Sequence, residues 1–182
     1  MRRSCLVNNV KSRILNTAFE CLSEHGFANV SMRDIAKESG VALSQVTYYY
    51  GTKENLLLEV IDMMIEEYTA EFEQSAAALG GRKQKLGALI AYFKELIKTR
   101  PKLLKLFVDL TAQAMWVPSF REKIDSMFKK LAAIIQTGIT GDEESEAKLI
   151  FGALYGTSVQ ILLENSAEKE YELLSKASSL LV

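Results

Sequence analysis

The stretch SMRDIAKESGVALSQVTYYYGTKENLL, Ser31 to Leu57, holds two short helical segments joined at a glycine. Ser31 is a good helix N-cap, and Asp34 three residues on completes a capping-box pattern. Val30 before the cap and Ile35 in the first turn suit a hydrophobic staple. Gly40 ends this helix after about two turns, because glycine tolerates a left-handed helix stop. A third helix fits residues 42–48, Gly51-Thr52 breaks it, and Thr52 suits the cap of a fourth. Two short helices around a glycine turn predict a helix-turn-helix. The spacing meets its packing demands. Ala36 is small where the helices cross, Gly40 lies in the turn, and Ile35, Val41 and Val46 supply apolar pins between the two.

Upstream, residues 9–24 form an amphipathic pattern with Val10, Ile14, Leu15, Ala18, Phe19 and Leu22 on one stripe, ended by His25-Gly26. Downstream, Leu56, Leu57, Val60, Met64, Tyr68 and Phe72 recur at helical spacing and predict a long helix over 53–78, stopped by Gly80-Gly81. At 1.5 Å per residue such a helix spans about 39 Å. Further helices fit 83–99, 101–115, 119–138, 143–164 and 167–181. Pro101 and Pro118 suit first-turn positions, and Asp142, with Asn165 or Ser166, suits caps. There is no strand-like alternation and no repeat. The expectation is an all-α chain of about nine helices, with a head over residues 1–50 and a helical body over 51–182.

Composition narrows the function. The chain has 182 residues, 48% hydrophobic and 25% charged, as expected of an ordinary globular protein. Its two cysteines, Cys5 and Cys21, are too few for a disulfide framework, and no Cys/His cluster offers a metal site. No signal-peptide core follows Arg2-Arg3, and no apolar run approaches a membrane span, so a cytoplasmic location with no membrane partner is expected. The net charge is -1, but its distribution is uneven. Residues 1–58 carry seven Lys/Arg against five Asp/Glu, and the remainder carries 15 against 18. This permits a DNA-facing head on a near-neutral body. No nucleophile–base pair is visible. His25, the only histidine, suits a helix end favoured by the dipole, so no catalytic residue, cofactor or metal is expected.

The quoted stretch resembles the amino-terminal motif of the TetR family of regulators, and AFECLSEHGFANV, Ala18 to Val30, resembles that family's first-helix ending and glycine turn. The match covers about residues 9–58; the body is similar in layout only. The chain departs from the family pattern at Leu43, Thr47 and Tyr50, where a polar residue or lysine, an aromatic and a phenylalanine are usual. Leu43 can offer a thymine methyl contact or simple packing, so the departures bear on the operator sequence and not on the fold.

The resemblance implies an operator-DNA-binding homodimer, most often a repressor released by a small-molecule effector. It implies that Ser31 and Arg33 face phosphate or base, and that Ala42, Leu43, Ser44 and Gln45 open the recognition helix in the major groove. Gln45 has the paired donor and acceptor that adenine needs. Thr47, Tyr48, Tyr49 and Lys53 would contact phosphates, and Tyr50 stays core. Arg2 and Arg3 suit either a minor-groove arm or a disordered terminus.

For the body, the resemblance implies an effector cavity and a dimer seam. Large soft side chains exceed what a simple amphipathic stripe needs. Met64, Tyr68, Tyr92, Phe93, Phe107, Gln113, Trp116, Phe120 and Met127 are the candidate lining, with Tyr68, Tyr92 and Gln113 orienting the ligand. A preformed cavity above about 300 Å³ is expected. No obligatory counter-ion stands out, which favours a lipophilic effector over a strongly charged one. Gly152 and Gly156 lie on one helix face, where each glycine costs about 1 kcal/mol relative to alanine. A seam of Gly152, Gly156, Val159, Leu163, Leu173 and Leu180 explains that cost, as does tight packing inside one subunit. The rival functions are a helical protein-binding adaptor and a DNA-binding architectural protein without a small effector.

Overall fold

The first helix, α1 (Arg2–His25), begins seven residues before the predicted start, because no proline or glycine interrupts Arg2 to Asn9. The computed structural model describes residues 2–77, 80–141, 143–164 and 176, with side chains from Val10 onward except that of Ala76. Ile14, Ala18 and Leu22 bury the inner stripe of α1. Gly26, at φ 79°, ends it in the left-handed region. A short 3-10 turn, Phe27–Asn29, follows. No periodicity announced this turn, which is too short to carry one.

In α2 (Met32–Glu38) the capping box is formed. The Asp34 amide donates to Ser31 Oγ at 3.3 Å, and the Ser31 amide donates to Asp34 Oδ2 at 2.8 Å. Hydrogen bonds from the Ser31 side chain and backbone hold the Asp34 carboxyl below its ordinary pKa. Val30 and Ile35 are both buried beside the cap. Removing the cap by Ser31→Ala should cost about 1 kcal/mol of stability. A denaturant midpoint unchanged by this substitution would show that the box contributes nothing.

Gly40 turns the chain at φ 65°, and the Val41 amide donates to the Ala36 carbonyl at 3.0 Å, so the two helices meet across the small Ala36. The next helix, α3 (Leu43–Tyr50), runs two residues past its predicted end. Tyr50 is buried there, and its hydroxyl donates to the Lys11 carbonyl at 2.8 Å, tying α3 to α1. Thr52 then caps α4 (Lys53–Ala76), accepting from the Asn55 amide at 3.1 Å.

The body packs around α4. It contains α5 (Arg82–Thr99), α6 (Pro101–Ala114), α7 (Pro118–Ile135) and α8 (Glu144–Glu164). Pro101 and Pro118 occupy first-turn positions. A π turn, Gln136–Thr140, extends α7 to Gly141. Helix α4 packs chiefly on α7, and also on α5 and α1. One hydrophobic core runs without a break from Ile14 in α1 to Ile161 in α8. Among the described residues there is no strand, and no helix is long and apolar enough to cross a membrane. The expected ninth helix over 167–181, with Leu173, Leu180 and the Asn165 or Ser166 cap, lies outside the described residues apart from the helical Lys176, and Asp142 lies outside them too.

Candidate nucleic-acid interface and effector site

Helices α2 and α3 present one polar face. Ser31, Arg33, Ala42, Leu43, Ser44, Gln45, Thr47 and Tyr48 are all exposed there, Tyr48 to 82%. Tyr49 is half-buried and packs edge-on against Tyr48, with ring centroids 5.2 Å apart. Both tyrosines lie in the last turn of α3. The Gln45 carbonyl oxygen accepts from the Ala42 amide at 3.3 Å, closing the start of α3 and leaving the side-chain amide to donate outward.

Lys53, expected to contact a phosphate, opens α4 and makes contacts within the chain. Its ammonium donates to the Phe27 carbonyl and lies 4.1 Å from the centre of the Phe27 ring. Burial lowers the pKa of this lysine, and the charge of Asp109 acts in the opposite sense. Asp109, on α6, accepts from the Phe27 amide at 2.6 Å. The Phe27 ring meets Phe120 of α7 edge-on at 6.0 Å. The 3-10 turn is therefore clasped by α4, α6 and α7 together. Sequence reasoning missed Asp109, which lies 82 residues from its partner.

The body holds an apolar cavity of about 50 Å³. Six of the nine expected lining residues meet around it: Met64, Tyr68, Tyr92, Phe93, Phe107 and Met127. Three do not. Phe120 is buried, but against Phe27 at the head. Trp116 projects from the α6–α7 turn at 84% exposure, and Gln113 is half-buried near the same turn. Both were placed by proximity along the chain, which does not fix the side of a turn. Phe72, Leu96, Leu103, Leu104, Leu131, Phe151 and Tyr155 complete the wall. The volume is also a correction. About 50 Å³ is well short of a preformed pocket of roughly 300 Å³, so the aromatic side chains fill the space that a ligand would take.

At one end of this cavity lies a polar group that the sequence did not reveal. Arg100 donates through both terminal nitrogens to Glu71, at 3.1 and 2.6 Å, and its guanidinium lies 5.3 Å from the Tyr68 ring centre. Hydrogen bonding to Glu71 pushes the Arg100 pKa further up. Burial raises the Tyr68 and Tyr92 phenols, and Glu71 pushes both the same way.

On α8, Leu149, Gly152, Gly156, Val159 and Leu163 follow one another at steps of three and four, the spacing of a helix-pairing seam. Leu149 is 69% exposed and Leu163 79%, while Ile150, Leu154 and Ile161 point into the core. A Cβ added at Gly152 or Gly156 would meet no described atom within 4 Å.

The sequence profile described as bacterial regulatory proteins, tetR family, matches residues 14–60, which covers the second half of α1, all of α2 and α3, and the start of α4. The HTH-type transcriptional regulator BetI of Agrobacterium fabrum is 30% identical over 80 residues, 44% of this chain and 39% of that protein. The chain thus aligns with well under half the length of that relative. A transcriptional regulator of Streptomyces coelicolor A3(2), SCO7518, has the same fold at a TM-score of 0.78 and 22% identity, over 93% of this chain and 98% of that one. The transcriptional regulator FadR of Bacillus subtilis, solved in complex with stearoyl-CoA, matches at 0.75 and 21%, over 94% and 97%. Residues 14–60 thus match the profile of the tetR family of bacterial regulatory proteins, and over more than nine-tenths of its length the chain has the fold of these two solved regulators.

Proposed function

We propose that the chain is a cytoplasmic, dimeric, operator-binding transcription repressor that a lipophilic small molecule releases from DNA. The observation that carries this reading is the exposed opening of α3, Ala42 to Gln45 with Thr47 and Tyr48, on a capped helix pair pinned by the buried Val46. Residues 1–50 act as the head and 51–182 as the regulatory and dimerisation body. Ser31, Arg33, Thr47, Tyr48 and Tyr49 position the head on phosphates, and Leu43, Ser44 and Gln45 face base edges. Lys53 gives one of its three ammonium donors to the Phe27 carbonyl and keeps the others for a phosphate. Two heads must lie about 34–36 Å apart to enter successive major grooves. A ligand that favours a different spacing releases DNA, provided it binds the two states with unequal affinity. An apolar, aromatic-walled cavity beside α4 supports a lipophilic effector, as does the stearoyl-CoA bound by one neighbour of the same fold.

The test is a mobility-shift titration against the DNA upstream of the chain's own gene at several salt concentrations. Binding should weaken steeply with salt as counterions are released. Gln45→Ala should relax preference at one position per half-site, with a loss of about 1–3 kcal/mol there. A chain that binds no DNA fragment above the non-specific level would leave the protein-binding adaptor as the better reading.

A further inference from the structure

Outside the apolar cavity, a cleft of about 730 Å³ runs between α1, α4 and the corner where α5 meets α6. It shares Tyr68 and Leu103 with the cavity as common walls. Three cations lie on its corner side, Lys98 in the last turn of α5 and Arg100 and Lys102 at the start of the 14-residue helix α6. That helix has no side-chain cap; Pro101 carries no amide and the Leu103 amide donates to the Arg100 carbonyl, so the positive end of the helix adds to the three cations chiefly through its dipole. On the α1 side lies Ser23, only 7% exposed, whose hydroxyl has no hydrogen-bond partner among the described residues. A buried hydroxyl left without a partner is costly and calls for an explanation. Lys98 is likewise without a partner among the described residues, whereas Arg100 is held by Glu71 and Lys102 by Glu24. Glu20 and Glu67 also line the cleft, and both are exposed to water, which screens them.

We infer that this cleft is an anionic-headgroup subsite. The effector is an amphiphile, with its apolar chain in the aromatic cavity and its anionic head held by Lys98, Arg100, the start of α6 and Ser23. The inference rests on the proposed effector site and refines it. The group that would be displaced is the Glu71 carboxylate. It is more than a third exposed at its side chain, so it can turn to water when a ligand anion takes Arg100. The lack of an obligatory counter-ion in the sequence is explained by this pairing. The cation is present, and the chain's own carboxylate occupies it. Because the cleft is walled by α1 on one side and by α4 and α6 on the other, a head seated there acts directly on the junction between head and body.

Three ligands with one tail and different heads test this: dodecyl phosphate, dodecanol and dodecyltrimethylammonium, titrated against the full-length protein by calorimetry. Dodecyl phosphate should bind at least about tenfold more tightly than dodecanol, the worth of one charge-assisted hydrogen bond. Lys98→Gln combined with Arg100→Gln should bring the two close to parity, with dodecanol still bound. Ser23→Ala should weaken dodecyl phosphate but leave the unliganded protein as stable as before or more so, because it removes an unpartnered buried hydroxyl. Glu20→Gln with Glu67→Gln should strengthen the preference for the anion. Equal binding of all three ligands, or tighter binding of dodecyltrimethylammonium, would overturn the anionic subsite while leaving the lipophilic effector site intact. Failure of all three to bind would overturn both.

Discussion

Gly156→Leu should leave the subunit folded, separate the dimer and lower operator affinity by roughly 10²–10⁴-fold, the advantage lost when two linked half-sites become one. Within the described residues a Cβ at Gly156 meets nothing within 4 Å, so the subunit has room for the new side chain. Leucine is also the better helix former, by roughly 0.8–1 kcal/mol. Taken alone, the subunit should therefore be slightly stabilised. In a paired seam the same side chain enters the space of the partner helix, where overpacking typically costs about 1–3 kcal/mol per site and a symmetric dimer meets it twice. Gly87→Leu in α5 is the control, since Gly87 is exposed and equally open but lies off the seam. It should match the helix-propensity gain and leave the dimer intact. Sedimentation and circular dichroism together decide the matter. A folded monomer supports the seam. An unfolded chain means that Gly156 packs against its own subunit, and an unaltered dimer removes α8 from the interface.

The parts of this molecule that were legible in sequence are those written locally. Ser31 and Asp34 are three residues apart, and the capping box they predict is formed. The stops at Gly26, Gly40 and Gly51 all have positive φ, which side chains rarely adopt. Each is a contract between near neighbours, so spacing alone revealed it. Seven-residue disagreement at the start of α1 arose where periodicity weakens but nothing forbids a helix. The site was less legible, because it is made of pairs far apart in the chain. Arg100 meets Glu71 across 29 residues, and Asp109 meets Phe27 across 82. A charged residue beside a helix-breaking proline looks like any solvated corner until the facing helix is known. Trp116 failed in the opposite way. Its size suggested burial, but it follows the end of α6 in a turn, where orientation depends on how the next helix leaves.

Asp109→Ala should uncouple the body from the head. The Asp109 carboxylate holds the Phe27 amide, Lys53 holds the Phe27 carbonyl, and Phe120 backs the Phe27 ring, so three helices of the body grip a single residue of the head. Removing the carboxylate leaves a partly buried amide without its acceptor, at a cost of about 1–3 kcal/mol. For a chain of this length that lowers the melting temperature by about 2–4 °C for each kcal/mol. Lys53 also loses the charge that offsets its burial, so its hold on the Phe27 carbonyl should loosen. The larger consequence is regulatory. Helix α6 begins at the Arg100 corner beside the cavity and carries Asp109 to the head, so a displacement at the corner reaches Phe27 through one rigid element. Asp109→Asn keeps an acceptor of the same shape and should retain most of the stability and part of the coupling. The measurement is the ratio of operator affinities with and without dodecanol or dodecyl phosphate. In the parent chain that ratio should reflect a coupling of about 1–3 kcal/mol. In Asp109→Ala it should approach one while the ligand still binds the body. A ratio that stays at the parent value in a folded Asp109→Ala protein would mean that the signal travels along α4 without passing through Phe27.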